Sequence, residues 1–242
     1  MVLLLHCLVA CEESQVTTIE LRKLGHIAYS CDIQECSGGH PEWHIQGDCL
    51  PLLNGNCEFT LQNGQRESID KKWDLIIAHP PCTYLCLSGQ QHCNIEKYGE
   101  KAKQRIKDRD AAVKFFMKFV KADCEHIAIE NPVGVMNRYY KPPSQYIQPL
   151  YFGHPTSKRT GLRLKGLPNL MPTKIVKQEF YISSSGRKWD KWFWESSLIS
   201  NLQERSKFRS KTFPGIAKAM AEQWTSYIET GKNIKSNHKR LF

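Results

Sequence analysis

The sequence predicts an α/β protein built on an open, mostly parallel sheet with helices on both faces and a small basic C-terminal extension. Three observations carry this. Short aliphatic runs of strand length alternate with stretches of helical period. Each run closes on a polar turn or on proline. The 242 residues, 40% apolar and 10% aromatic with 15 Gly and 12 Pro, suit one ordinary globular core with at most a modest appendage.

The first run, VLLLHCLVA over 2–10, has the length and aliphatic content of a buried parallel strand. A helix follows over Ser14 to Leu24, with Ser14 as N-cap, Val16, Ile19, Leu21 and Leu24 as its apolar stripe and Gly25 as its stop. A second strand, His26 to Ile33, completes a βαβ unit and places Asp32 at its carboxyl end. Residues 34–72, rich in Gly, Asn, Gln and His, read as loops around a short strand or helix near Trp43 to Leu53.

Trp73 to Ala78 is another buried strand, stopped by His79-Pro80-Pro81, since two prolines remove two ladder donors and fix φ. Residues 83–100 read as a mobile loop. Asp108 to Ala122 places Val113, Phe116, Met117 and Val120 at helical spacing, as a core-facing helix. His126 to Glu130 is a short strand ending in Asn131-Pro132, and Ile147 to Phe152 and Gly161 to Leu164 are extended. After a Lys- and Trp-rich stretch over 171–211, Pro214 to Tyr227 forms a last helix with Pro in its first turn and Ile216, Met220 and Trp224 on one face.

Charge divides the chain. Residues 1–156 hold 16 Lys/Arg and 18 Asp/Glu, net −2, whereas 157–242 hold 18 and 6, net +12. Such asymmetry is expected where one part of a protein grips a polyanion and another does chemistry. The apolar residues Val2 to Leu5 and Leu8 to Ala10 are interrupted by His6 and lack a basic lead, so no signal peptide is expected, and no run reaches the length of a membrane span. Ten cysteines without a secretory signal predict free thiols in a cytoplasm, with no disulfide framework. Cys82, Cys86, His92 and Cys93 do not have the spacing of zinc ligands, and no metal is expected.

Ligands of an open parallel sheet bind at the carboxyl ends of its strands. Glu12, Glu13, Asp32, Cys82 and Glu130 all fall there. Pro80-Pro81-Cys82 presents a thiol on a rigid turn directly after one strand, and Glu130-Asn131-Pro132 presents a carboxylate after another. These two segments resemble the Pro-Cys nucleophile and Glu-Asn acid of the cytosine-C5 DNA methyltransferase family, most of all its short phage- and prophage-encoded members. The similarity spans most of the chain, through FGHPTSKRTGLRLKGLP to SKTFPGIAKAMAEQW.

The resemblance implies a Rossmann-like S-adenosylmethionine-dependent methyltransferase fold, with S-adenosylmethionine as cofactor. It further implies duplex DNA with a flipped cytosine as substrate, a monomeric enzyme, and action in the cytoplasm, the host's if the chain is phage-encoded. It casts Cys82 as the nucleophile and Glu130 as the acid beside the ring. Arg159, in Ser157-Lys158-Arg159-Thr160, is cast as the Arg that reaches cytosine and acid. Asp32 is placed on the cofactor's ribose, Asp48 on its adenine amine, and Ile33, Pro80, Thr212 and Phe213 among its other contacts. Cys11, Glu12 and Glu13 stand where the family has a glycine-rich loop; this segment has no glycine, and Glu12 or Glu13 is expected to take the cofactor's ammonium. Ser88, Gly89, Gln90, Asn131, Lys158, Lys188, Lys191, Arg205 and Arg209 are the expected DNA contacts, with Trp189, Trp192, Phe193 and Trp194 among them as packing core or stacking platform.

The expected organisation is a catalytic core over 1–165, a small DNA-contacting region over 166–211, and a returning helix with a basic tail over 212–242. About 40 residues separate Pro168 from Phe208, so a short or loose recognition sequence is expected. Two other readings stand beside this one. His79-Pro80-Pro81-Cys82 superficially resembles the Pro-Pro signature of exocyclic amino methyltransferases, though it lacks their aromatic residue and their acidic or amide first residue. A basic DNA-binding protein on an inactive methyltransferase scaffold also accommodates the missing glycines and the C-terminal charge.

Overall fold

Aliphatic, β-branched runs flanked by turn residues become the strands of one central sheet, in a computed structural model that describes residues 3–233. Their order in the chain is β1 (His6–Ala10), α1 (Val16–Lys23), β2 (Ile27–Asp32), β3 (His44–Gln46), β4 (Cys57–Thr60), β5 (Arg66–Ile69) and β6 (Leu75–Ala78). Then come α2 (Ile95–Tyr98), α3 (Glu100–Val120), β7 (Ile127–Pro132), α4 (Met136–Tyr139), β8 (Gln145–Ile147) and β9 (Thr160–Lys165). The C-terminal part adds β10 (Phe180–Ile182), β11 (Lys188–Asp190), α5 (Lys191–Ser197), α6 (Leu202–Ser210) and α7 (Pro214–Thr230).

Seven strands pair in the order β3-β2-β1-β6-β7-β9-β8. The first five run parallel, and β9 lies antiparallel between β7 and β8. The sheet is mostly parallel, with its antiparallel strand toward one side. Alternate residues of each strand feed two apolar layers. Leu8, Ala10, Ile76, Ala78, Ile127 and Ile129 pack against Phe116 and Phe119 of α3 and against Phe59 and Ile69 of the β4–β5 hairpin. Cys7, Val9, Leu75, Ile77, Ala128 and Leu162 pack against Leu21 of α1 and against Ile216, Met220 and Trp224 of α7.

Several elements depart from the sequence expectation. The β4–β5 hairpin lies within the stretch expected to be loops; its Asn63-Gly64 turn between alternating buried and exposed residues is the signal that identifies it. Residues 83–100 are not a mobile loop but a 3-10 segment over Leu87–Cys93 and the short α2, whose cap Asn94 accepts the Lys97 N–H at 3.0 Å. Helix α3 starts at Glu100 rather than Asp108, because its first turns are Lys, Gln and Glu, good helix formers without an apolar period. Strand β7 continues through Pro132: beyond Ile129 it has a partner on the β9 side only, where proline is tolerated. Of the stretch expected to be extended over Ile147 to Phe152 only Ile147 is strand, as the end of β8, and Pro149 then opens a 3-10 turn.

Region 166–211 is tied to the sheet through Asp190. Its carboxylate accepts from the Thr156 hydroxyl (2.8 Å), the Ser157 N–H (3.1 Å), the Gln178 amide (2.8 Å) and the Phe193 N–H (3.1 Å). Burial alone raises the Asp190 pKa, yet these donors hold it below the usual Asp value. The basic tail expected after α7 falls in 234–242, outside the described residues.

Helix α7 carries the largest fully buried side chain, Trp224, whose indole N–H donates to the Pro168 carbonyl at 3.0 Å. Trp224→Ala is expected to lower the unfolding free energy by about 3–5 kcal/mol, read from urea denaturation. Trimming the exposed Leu202 is expected to change it by less than about 0.5 kcal/mol.

Candidate active site

Strand register builds the site. Ala10 lies opposite both Cys31 and Ala78, and Ala78 lies opposite Ile129, so the chain leaves β1, β2, β6 and β7 along one edge. His79 follows Ala78 and Glu130 follows Ile129, and alternation turns both toward the α7 face. The His79 imidazole Nδ1 donates to Glu130 Oε2 at 3.3 Å. Burial draws the His79 pKa down, but the hydrogen bond and charge of Glu130 outweigh it and leave His79 above the ordinary His value. Burial likewise pushes Glu130 up, and His79, with Lys158 and Thr160, brings it below the ordinary Glu value. Each group therefore favours the other's charged form.

Cys82 stands three residues beyond His79, exposed, after a buried Pro80. Its carbonyl accepts the N–H groups of Leu85 (2.9 Å) and Cys86 (3.1 Å), making a tight turn. That turn is stitched to the segment after β7: the Leu87 N–H donates to the Val133 carbonyl (3.3 Å), and the Val135 N–H to the Leu85 carbonyl (2.8 Å). The approach needs Gly134, where a Cβ would lie 2.0 Å from the Leu85 carbonyl oxygen. Surrounding protein first, and then the Glu130 carboxylate, raise the Cys82 pKa above the usual thiol value, with Lys158 acting in the other direction.

Lys158, not Arg159, is the cation beside the acid. Arg159 is exposed and its guanidinium lies 3.9 Å from the centroid of the Tyr146 ring. The Lys158 ammonium donates to the Arg209 carbonyl at 2.7 Å and sits by the rings of Trp192 (5.8 Å) and Phe213 (5.7 Å). Glu130, Lys158, Thr160, Ser210, Thr212 and Phe213 line one recess. The correction has a simple cause: in the segment before β9, neighbouring side chains diverge, and only the first of the two cations points inward.

The glycine-free segment after β1 is shaped by two residues with left-handed backbone, Cys11 (φ 60°) and Gln15 (φ 57°). The chain then folds Glu12 back on α1. The Glu12 carboxylate accepts the N–H groups of Thr17 (2.7 Å) and Thr18 (3.2 Å) and the Thr18 hydroxyl (2.7 Å). The helix therefore starts at Val16, and Ser14 is not its cap. Glu12 is committed to that terminus, leaving Glu13 to meet a ligand. The Glu13 carboxylate is buried, and neither oxygen has a hydrogen-bond partner among the described residues. Its one counter-charge is the Lys207 ammonium, 3.5 Å from Oε2, and a buried acid without hydrogen bonds fits a cationic ligand group.

Asp32 is half-buried and accepts the Gln34 N–H at 2.9 Å, while Ile33 beside it is 77% exposed. Asp48 is exposed and accepts the Leu50 N–H at 3.0 Å. The Cys11 thiol faces that of Cys49 at 3.9 Å.

Among the expected DNA contacts, several are held in place by the protein itself. The Ser88 hydroxyl donates to Cys86 Sγ at 3.4 Å, the Gly89 carbonyl accepts Arg105 Nε at 3.0 Å, and the Gln90 amide donates to the Tyr84 carbonyl at 3.1 Å. Asn131 is fully buried on the strand face opposite Glu130, so it cannot touch a substrate that Glu130 touches. Lys191 pairs with Glu179 at 2.9 Å. Arg209 donates to the Ser196 hydroxyl (2.8 Å) and the Phe193 carbonyl (3.4 Å), fastening α6 to α5. Lys188, whose ammonium lies 3.9 Å from the Phe180 centroid, and Arg205 stay at least partly exposed. Trp192 is part of a packed cluster with Phe193, Phe208 and Phe213. His79, Arg187 (4.0 Å over Trp189) and Lys207 were not legible as site residues, since an isolated basic residue carries no spacing signal.

The pair makes a test. The His79 imidazole is expected to titrate above pH 6.5 in nitrogen NMR, and lower in Glu130→Gln, which removes the charge that most opposes burial. The linked stability runs in the same sense: the gain from the raised His79 pKa is fully present below about pH 6.5 and is lost as pH rises through its folded value.

No protein-family model matches the sequence, and no curated protein matches it. Among solved structures, the chain is similar to an E. coli protein described as a DNA modification methyltransferase encoded within a prophage, at 16% identity and a TM-score of 0.42 over 72% of this chain. It is also similar to the Entamoeba histolytica methyltransferase EhMeth, at 12% identity and a TM-score of 0.40 over 74% of this chain. The chain covers 52% of the first structure and 58% of the second, between half and three-fifths of their length.

Proposed function

We propose that the protein is a DNA methyltransferase that moves a methyl group from S-adenosylmethionine to C5 of cytosine, with Cys82 as nucleophile and Glu130 as the acid at the ring. The observation that carries the reading is an exposed Cys82 just after one strand and Glu130 at the end of the neighbouring strand, near enough that its charge raises the thiol, with His79 hydrogen-bonded to Glu130 at 3.3 Å.

Cytosine C5 is a weak nucleophile. Addition of the Cys82 sulfur to C6 breaks the C5–C6 double bond and drives electrons to C5 and toward N3. Glu130 hydrogen-bonds N3 and the exocyclic amine, and the His79 proton, passed through Glu130, neutralises N3. S-adenosylmethionine, when bound, supplies the electrophilic methyl group. Water takes the C5 proton as the C6–S bond breaks, which restores the C5–C6 double bond and the Cys82 thiolate, and N3 returns its proton through Glu130 to His79. Asp32, Ile33, Glu13, Pro80, Thr212 and Phe213 would hold the cofactor along the edge, with Asp48 and Cys11 at its margins.

The target base must leave the duplex to reach Cys82. The net +12 of residues 157–242 supports a polyanionic partner. In this reading residues 1–165 are the catalytic core, and residues 166–211, with Arg187 and Lys188 exposed and Arg205 half-buried, contact DNA while 212–242 return to the core.

The test is mass spectrometry of nucleosides from cytosine-rich duplex DNA incubated with protein and S-adenosylmethionine. 5-Methyldeoxycytidine is expected, absent with Cys82→Ala and reduced about 10²-fold or more with Glu130→Gln. Unchanged 5-methyldeoxycytidine with Cys82→Ala overturns the assignment, and N4-methylcytosine or N6-methyladenine would instead favour amino methylation.

A further inference from the structure

We propose that Glu13 and Lys207 form a receptor for the zwitterionic amino-acid end of the cofactor, Glu13 taking its ammonium and Lys207 its carboxylate. The proposal rests on the reading of S-adenosylmethionine as cofactor, and it specifies how a segment without glycine holds that molecule.

Three observations lead to it. First, the N-terminus of α1, where oriented N–H groups attract an anion, is filled by this chain's own Glu12, which accepts from Thr17 and Thr18. A ligand carboxylate must therefore find its counter-charge elsewhere. Second, Glu13 is 6% exposed, and both its carboxylate oxygens lack hydrogen-bond partners among the described residues. An acid so placed, next to the strand end, keeps acceptor capacity that no hydrogen bond uses. Third, Lys207 Nζ on α6 lies 3.5 Å from Glu13 Oε2, with its side chain 39% exposed and so free to turn.

The two charges are thus adjacent and of opposite sign, with one group buried and fixed and the other flexible. This matches an α-amino acid, whose ammonium and carboxylate are separated by two bonds. On binding, the ligand ammonium donates to Glu13 and the ligand carboxylate accepts from Lys207, so no charge remains unpaired. The pairing also gives α6 a role in cofactor capture, since the same helix supplies the Arg209 carbonyl that holds Lys158.

Isothermal titration calorimetry with S-adenosylhomocysteine and with 5′-methylthioadenosine, which shares the nucleoside but lacks the amino-acid end, tests the assignment. Glu13→Gln and Lys207→Met are each expected to weaken S-adenosylhomocysteine binding about tenfold or more and to leave 5′-methylthioadenosine binding unchanged, the size of a lost charge-assisted hydrogen bond. Equal losses for both ligands, no loss for either, or tighter S-adenosylhomocysteine binding by Lys207→Met would overturn it. If the wild-type protein binds neither ligand, the cofactor reading itself fails, and the receptor falls with it.

Discussion

The parallel pairing of β6 with β7 is the constraint on which the site depends. With Ala78 opposite Ile129, the next residue of each strand is His79 and Glu130, on one face and within hydrogen-bond reach. A slip of one residue would turn one of them into the α3 layer. The rigid Pro80-Pro81 turn then carries Cys82 over the edge, and backbone hydrogen bonds to residues 133–135 fix it relative to β7. The apolar layers behind both strands hold this register, so the reactive groups are positioned by the core.

The first turn after β1 shows a different balance. A glycine would adopt the left-handed backbone at Cys11 and Gln15 without steric cost, whereas an L-residue there costs about 1–2 kcal/mol. Gln15 offsets it with its amide, which donates to Ser30 Oγ (3.2 Å) and the His40 carbonyl (2.9 Å). Glu12 offsets it further by capping α1, an interaction of about 1 kcal/mol. The chain thereby exchanges an open helix terminus, suited to an anion, for a buried carboxylate at Glu13 that no hydrogen bond uses and whose one counter-charge is Lys207.

Strands and the last helix were legible because burial on both sides of a sheet leaves unbroken aliphatic runs, as at Leu75–Ala78, and because α7 has a single apolar stripe. The start of α3 and the segment over 83–100 were not, since their polar residues hold structure through capping and through Arg105 rather than through apolar period. The β4–β5 hairpin carried its signal in Asn63-Gly64, overlooked among polar neighbours. Cys82 and Glu130 stood out because prolines mark the strand ends that present them. The exchange of Arg159 for Lys158 was not legible, because side-chain direction in an irregular segment depends on what it packs against. Likewise His79 reads as a strand terminator until Glu130 appears beside it, and Lys207 acquires meaning only when α6 is laid over Glu13.

The central claim is that Cys82 adds to the cytosine ring while Glu130 steadies it. The most direct test replaces the target cytosine in duplex DNA by 5-fluorocytosine, whose fluorine cannot leave C5 as a proton does, so the covalent adduct persists. With S-adenosylmethionine present, a protein–DNA complex stable to denaturation should form, and peptide mass spectrometry should place the methylated fluorinated base on Cys82. No adduct, or an adduct on another thiol such as Cys86, would contradict the account.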